Sequence, residues 1–239
     1  ASEAEAYGMT GDVDKAIAAY RKAALIFNTL SSENAHIEQQ VVVLSQLGFM
    51  LLSVKRYKEA FETTQKAISL GERLYAADPV SNFAPMGSLL RMQADVCYRL
   101  GDFDGMFAFL DRAKSILVKG LKDKLPLPYR CASLALLSFV LRDRAAMSFE
   151  RRRLSSMRRD LLDSLRCIAA ATQYHKIDSK FMVLRVFTIL YLFVTTRADW
   201  SGAKRLQTAL AKFYRSLTPF ERWELAPAYS EFVLDMSGI

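Results

Sequence analysis

A chain of 239 residues, half of them hydrophobic, can bury enough apolar surface to fold without disulfides or metals. Six prolines and ten glycines are too few turn formers for a sandwich, a barrel or an α/β sheet, and three cysteines with two histidines and no CxxC pair argue against a structural zinc site. A net charge of +8 leaves room for an anionic partner, although charged faces also keep helical repeats in solution.

The chain opens Ala1-Ser2-Glu3 with no methionine and no basic-then-apolar leader, and an N-terminal extension is expected. Along the chain a polar turn that opens a helix recurs five times. The copies are Gly11-Asp12-Val13-Asp14-Lys15-Ala16, Lys55-Arg56-Tyr57-Lys58-Glu59-Ala60, Gly101-Asp102-Phe103-Asp104-Gly105-Met106, Arg142-Asp143-Arg144-Ala145-Ala146-Met147 and Ala198-Asp199-Trp200-Ser201-Gly202-Ala203. Seven residues beyond each stand Ala23, Ala67, Ala113, Leu154 and Leu210; twelve residues before the last position stand Ala4, Gly48, Ala94, Ala135 and, as the exception, Tyr191. Small residues in those columns let antiparallel helices approach closely, with Tyr57, Phe103 and Trp200 wedged at the turn. Further turn signals stand at Ser31-Ser32-Glu33-Asn34, Asp78-Pro79-Val80-Ser81-Asn82, Leu125-Pro126-Leu127-Pro128 and Lys176-Ile177-Asp178-Ser179. Helical hairpins are thus expected over about 1–30, 34–78, 81–120, 127–174 and 179–217. Thr218-Pro219-Phe220-Glu221 then reads as the start of a capping helix over 219–236.

Leu44, Leu47 and Gly48 followed by Tyr57, Ala60 and Ala67, and Leu90, Ala94, Tyr98, Gly101, Phe103 and Ala113, resemble the tetratricopeptide repeat (TPR) family. The copies are 44, 46, 41 and 56 residues apart, longer than the family's usual unit of about 34, and the closing proline is absent. This is similar to the long-repeat branch that includes kinesin light chains and spindle-orientation adaptors. The resemblance implies an all-α, right-handed α-solenoid of about five hairpins plus the cap, forming a single unit over 1–239 within a longer chain. It also implies a concave groove lined by first helices.

On that groove the alignment places Ser45, Phe49 and Leu52, then Arg91, Asp95, Tyr98 and Arg99, then Ala132, Leu136 and Phe139. The carboxylate clamp of the family's chaperone-tail binders is missing, its columns being held by Gln46, Phe49, Arg91 and Met92. An extended or helical peptide with apolar anchors and an acidic residue facing Arg91 or Arg99 suits these side chains better. The same apolar residues could instead pack on neighbouring helices. The fourth hairpin carries a second feature: Arg151, Arg152, Arg158, Arg159 and Arg166 form a broad basic side if 149–171 is one helix, suited to an acidic protein surface or an RNA backbone. Arg152-Arg153-Leu154-Ser155 resembles a site for a basophilic kinase, but a serine inside a packed helix is poorly accessible.

Nothing points to catalysis. There is no phosphate-cradling glycine loop, no GxSxG and no HExxH, and neither His36 nor His175 has a local nucleophile partner. The apolar run 181–194 is too short for a bilayer and carries Arg185. Cys97, Cys131 and Cys167, in apolar helical segments, read as reduced thiols of an intracellular protein, cytoplasmic or alternatively mitochondrial. The expected function is a non-catalytic scaffold or adaptor with a protein partner and neither cofactor, metal nor small-molecule substrate. An RNA-associated subunit using the fourth hairpin is the alternative.

Overall fold

The structure, a computed structural model, describes residue 7 and residues 12–29, 34–123, 125–172 and 200–216. Eight α-helices cover these residues: α1 Val13–Thr29, α2 Asn34–Ser53, α3 Tyr57–Ala77, α4 Pro79–Leu100, α5 Phe103–Lys122, α6 Leu127–Glu150, α7 Leu154–Thr172 and α8 Trp200–Ser216. No strand occurs among the described residues. The expected turn at 176–179, His175, Tyr191 and the capping helix over 219–236 lie outside them. The chain divides into two compact units, Ala1–Leu136 and Leu137–Ile239.

In the first unit each helix packs on the next in sequence, α1 on α2 through to α4 on α5, with only a slight direct contact between α2 and α4. The buried stripe of α5 is Met106, Leu110, Ala113, Leu117 and Gly120, and that of α3 is Ala60, Thr64, Ala67, Gly71 and Leu74 at the same five positions, with Ile68 added. Spacings of three and four residues put each stripe on one helical side. Close approach depends on the small members. A Cβ on Gly120 would meet the Phe83 ring at 2.5–2.8 Å, so Phe83 of α4 sits in a hole that only glycine leaves. Thr64 and Gln93, both fully buried, hydrogen-bond across the α3–α4 contact and are the polar pair in that apolar interface.

Three of the turns share one backbone design. Lys55, Gly101 and Arg152 take left-handed φ values of 62°, 79° and 56°. The next residue closes the motif each time: Arg56 N–H donates to Leu51 O at 2.9 Å, Asp102 N–H to Cys97 O at 2.9 Å, and Arg153 N–H to Ser148 O at 2.7 Å. This is the six-to-one hydrogen bond that ends a helix and reverses the chain. Asp102 then caps α5 by accepting from Gly105 N–H at 2.9 Å, and Asp12 caps α1 more loosely from Lys15 N–H at 3.4 Å. The α3–α4 break is a single residue, Asp78, which ends α3 through its N–H to Leu74 O and caps α4 by accepting from Ser81 N–H. Pro79 therefore opens a helix, and Val80 to Asn82, expected in a turn, are its first residues.

The second unit corrects the fourth copy. Arg142 to Met147 is not a turn but lies within α6, and the chain reverses at Arg151-Arg152-Arg153, so 149–171 is not one helix. The helices opened by the repeated turn now start at Val13, Tyr57, Phe103, Leu154 and Trp200, hence 44, 46, 51 and 46 residues apart. The corrected register aligns Met157, Leu161 and Ser164, all fully buried, with Met106, Leu110 and Ala113. Ala145, also fully buried, takes the small-residue column of Gly48 and Ala94 in place of Ala135. Ser164 Oγ donates to Ser138 O at 2.8 Å, tying α7 to α6 where the other copies have alanine.

Two outcomes follow from this packing. Gly120→Val replaces the hole by two methyl groups against the Phe83 ring and is expected to lower the unfolding free energy by about 2 kcal/mol, read from urea denaturation with an unchanged m-value. Cys97 is buried, and desolvation, with a smaller contribution from Asp102, pushes its thiol up from 9.0 to about 11. Because the raised pKa favours the neutral thiol in the folded chain, alkylation of native Cys97 at pH 8 is expected to run roughly a hundredfold slower than in urea.

Candidate functional site

The first helices α2 and α4 are amphipathic in an uneven way. On α2, Val41, Leu44, Leu47 and Leu51 are buried, but Val42 and Phe49 are 50% and 56% exposed, two turns apart on one stripe with Ser45 and Gln46 between them. Opposite them α4 offers Pro85, Ser88, Leu89 and Met92, and the two helices enclose an open groove of about 480 Å³. Its wall is mostly apolar, and none of the described residues that line it is charged. Pro85, in the interior of α4, has no N–H to donate to the Ser81 carbonyl, so the groove edge lacks one rung of the helix. The floor closes because Gly48 brings α2 close to Thr64 of α3 and to Met92.

Of the residues singled out on the groove, Ser45 and Phe49 line it. Leu52 is half-buried elsewhere on α2, and Arg91 is half-buried on α4. Asp95, Tyr98 and Arg99 form a separate cluster at the C-terminal end of α4. Arg99 Nε lies 3.5 Å from Asp95 Oδ1, its guanidinium carbon 5.8 Å from the Tyr98 ring centre, and the Phe103 ring meets Tyr98 edge-on at 6.0 Å. Leu136 packs against α4, its Cδ2 3.0 Å from where a Cβ on Gly87 would stand. In the second unit Phe139 is half-buried, with the Arg142 guanidinium carbon 5.4 Å from its ring centre. Val42, Pro85, Ser88 and Leu89 were missed as groove residues. Val42 was legible as an apolar residue out of phase with the buried stripe of α2, and Pro85 as a proline inside a helical run.

A second open groove, of about 550 Å³, lies between α1 and α3 over α2. Leu25, Leu44, Leu47 and Leu70 line it together with Arg21, Glu59, Glu62 and Lys66. Arg21 Nη2 donates to Glu59 Oε2 at 2.6 Å across it, and Arg56 binds the same carboxylate, first in strength, so Glu59 is held below the usual carboxylate range.

The arginines of the second unit divide into two groups. Arg144 faces the buried Asp160 at 3.7 Å, and Arg142 pairs with Asp143. Arg158, Arg159 and Arg166 are exposed on the outer side of α7, around Leu162, which is 41% exposed. Arg166 donates to Asp163 at 2.9 Å. Arg151 is half-buried and Arg152 exposed in the reversing turn, so they precede the helical face rather than lie on it. His36 is half-buried on α2. Among the described residues no group of His, Cys, Asp and Glu could hold a metal ion, and no helix is long and apolar enough to cross a membrane.

No protein-family model matches this chain, and no curated protein matches it. Solved structures do. BtubC (BKLC) from P. vanneervenii superposes with a TM-score of 0.68 at 13% identity, over 90% of this chain and 80% of that one. Two structures of nearly identical TPR-like repeats, described as kinesin light chain from Podosopora anserina, one of them a point variant, give 0.61 and 0.60 at 14% identity, each over 88% of this chain and 90% of the other. At such identities the likeness establishes the fold: an all-α helical-repeat solenoid of the TPR-like, long-repeat kind.

Proposed function

We propose that the chain is a non-catalytic scaffold whose α2–α4 groove takes an apolar stretch of a partner protein. The observation that carries this is the pair Val42 and Phe49, large apolar side chains half or more exposed on one stripe beside a mostly apolar groove. Exposed apolar area of this kind is stabilising only when another surface covers it, and aromatic anchors at a groove centre dominate such interfaces. The TPR-like fold of the comparison structures supports protein binding in general; the anchor residues are particular to this chain. The groove suits a helix or extended segment with two apolar side chains one to two turns apart, and Ser45, Gln46 and Ser88 leave polar positions at its edge.

A second reading has one observation in its favour, the exposed Arg158, Arg159 and Arg166 on one side of α7, which could rest on RNA phosphates. Against it, α7 contains no aromatic residue on which a base could stack.

The test is affinity capture with wild type, a groove variant (Val42→Asp with Phe49→Asp) and an arginine variant (Arg158→Glu with Arg159→Glu), followed by titration of the purified partner. The groove variant is expected to fold as wild type, within about 0.5 kcal/mol, because both side chains are exposed. It is expected to weaken partner binding by about tenfold or more. Full affinity in the groove variant would overturn the scaffold reading, and nuclease-sensitive capture lost only in the arginine variant would establish the RNA reading instead.

A further inference from the structure

Moving the fourth reversal to Arg151-Arg152-Arg153 changes the standing of one serine. Ser155 is not inside a packed helix: it is the second residue of α7, it is exposed, and it follows a non-helical run of three arginines of which Arg152 and Arg153 are exposed. We propose that Ser155 is a phosphorylation site for an arginine-directed protein kinase, and that the phosphate resets the charge of the outer face of α7. This reading is independent of the groove.

Kinases of that class choose substrates by the pattern of basic residues before the acceptor, and here Arg152 and Arg153 stand three and two residues ahead of it. Position in the fold separates Ser155 from its rivals. Among the described residues Ser115, Ser133, Ser156 and Thr208 also follow an arginine by three residues, but Ser115 and Thr208 lie in mid-helix, Ser133 is fully buried, and Ser156 has Leu154 rather than a second arginine two residues ahead. The first rung of α7 is Met157 N–H to Arg153 O at 3.0 Å, so the N–H groups of Leu154, Ser155 and Ser156 carry no helical bond that a kinase would have to break. Arg152 already holds a left-handed conformation that costs a non-glycine residue free energy, which further favours release of this segment.

In the transfer, Ser155 Oγ attacks the γ-phosphorus of ATP, the bond from that phosphorus to the β,γ-bridging oxygen breaks, ADP departs, and the hydroxyl proton passes to the kinase's base. The product carries about two negative charges in the first turn of α7, three and four residues before Arg158 and Arg159 on the same side. Phosphate there meets both the free N–H groups of the helix start and those guanidinium groups, and offsets much of the basic face.

The experiment incubates the full chain with MgATP and a purified arginine-directed kinase, beside a synthetic peptide of residues 149–162, and maps phosphate by tandem mass spectrometry. The expected result is one phosphate on Ser155 at an initial rate within about tenfold of the peptide, since first turns open at little cost. Phosphorylation should raise the unfolding midpoint by about 2 °C. Ser155→Ala should remove the incorporation. Arg152→Gly with Arg153→Ser should also abolish it while leaving the unfolding midpoint unchanged or higher, because glycine suits the left-handed position and serine the cap. Phosphate on the peptide but not on the folded chain, on neither, or equally on Ser115 or Thr208 would overturn the proposal.

Discussion

Successive helices here must approach closely enough for a large side chain of one to enter a gap in the next, and much of the first unit follows from that demand. Phe83 occupies the gap at Gly120, and Thr64 the gap at Gly48. Dispersion is short-ranged, so a gap filled to contact is stabilising whereas the same gap left half an ångström open loses much of it. That requirement fixes which side of each helix turns inward, and so which residues are left over. On α2 the inward side is satisfied by Leu44, Leu47 and Leu51; Val42 and Phe49 are surplus to it and make the groove.

The hairpin of copy three could be read from the sequence because its turn is chemically explicit, and that of copy two because Tyr57 and the small residues Gly48, Ala60 and Ala67 frame a turn that has neither glycine nor a capping side chain. Gly101 accepts the left-handed position at no steric cost, Asp102 caps, and Tyr57 and Phe103 mark the helix starts. The fourth turn is hidden because arginine occupies both the left-handed position and the cap, as lysine and arginine do in copy two, while Leu154 stands where Tyr57 and Phe103 mark the other helix starts. Arg142-Asp143 imitates the motif ten residues early, inside α6. Burial settles the register, since Met157, Leu161 and Ser164 are inaccessible at the spacing of the earlier copies, and burial is a property that composition alone did not separate there. Phe49 was found because the alignment put it one residue beyond the small column. Arg91, Asp95, Tyr98 and Arg99 follow the same columns on α4, yet Asp95, Tyr98 and Arg99 bind one another at the helix end, an outcome set by side-chain length and pairing rather than by position.

The positive charge is not spread evenly in its consequences. In the first unit Arg21 and Arg56 converge on Glu59, and Arg112 reaches Glu72, so cations link the second helices of successive hairpins. Such exposed pairs are each worth at most about 1 kcal/mol, and their effect is to set orientation rather than to hold the fold. In the second unit Asp160, buried beneath Arg144, is a different case, since a buried carboxylate without its cation would be costly. The arginines of α7 that point outward leave a face whose charge is available to something else.

Because α1 to α5 each touch mainly the next helix along the chain, the first unit is wired like a string of springs rather than a web. Little loop entropy is lost in making any one of its contacts, so ordering can begin at whichever hairpin forms first and spread by neighbours. The same wiring means that a load or a bound partner at α2 is felt strongly at α3, less at α4 and least at α5. Compliance is therefore a local property of each hairpin, and a grip on one groove leaves the far helices free to breathe.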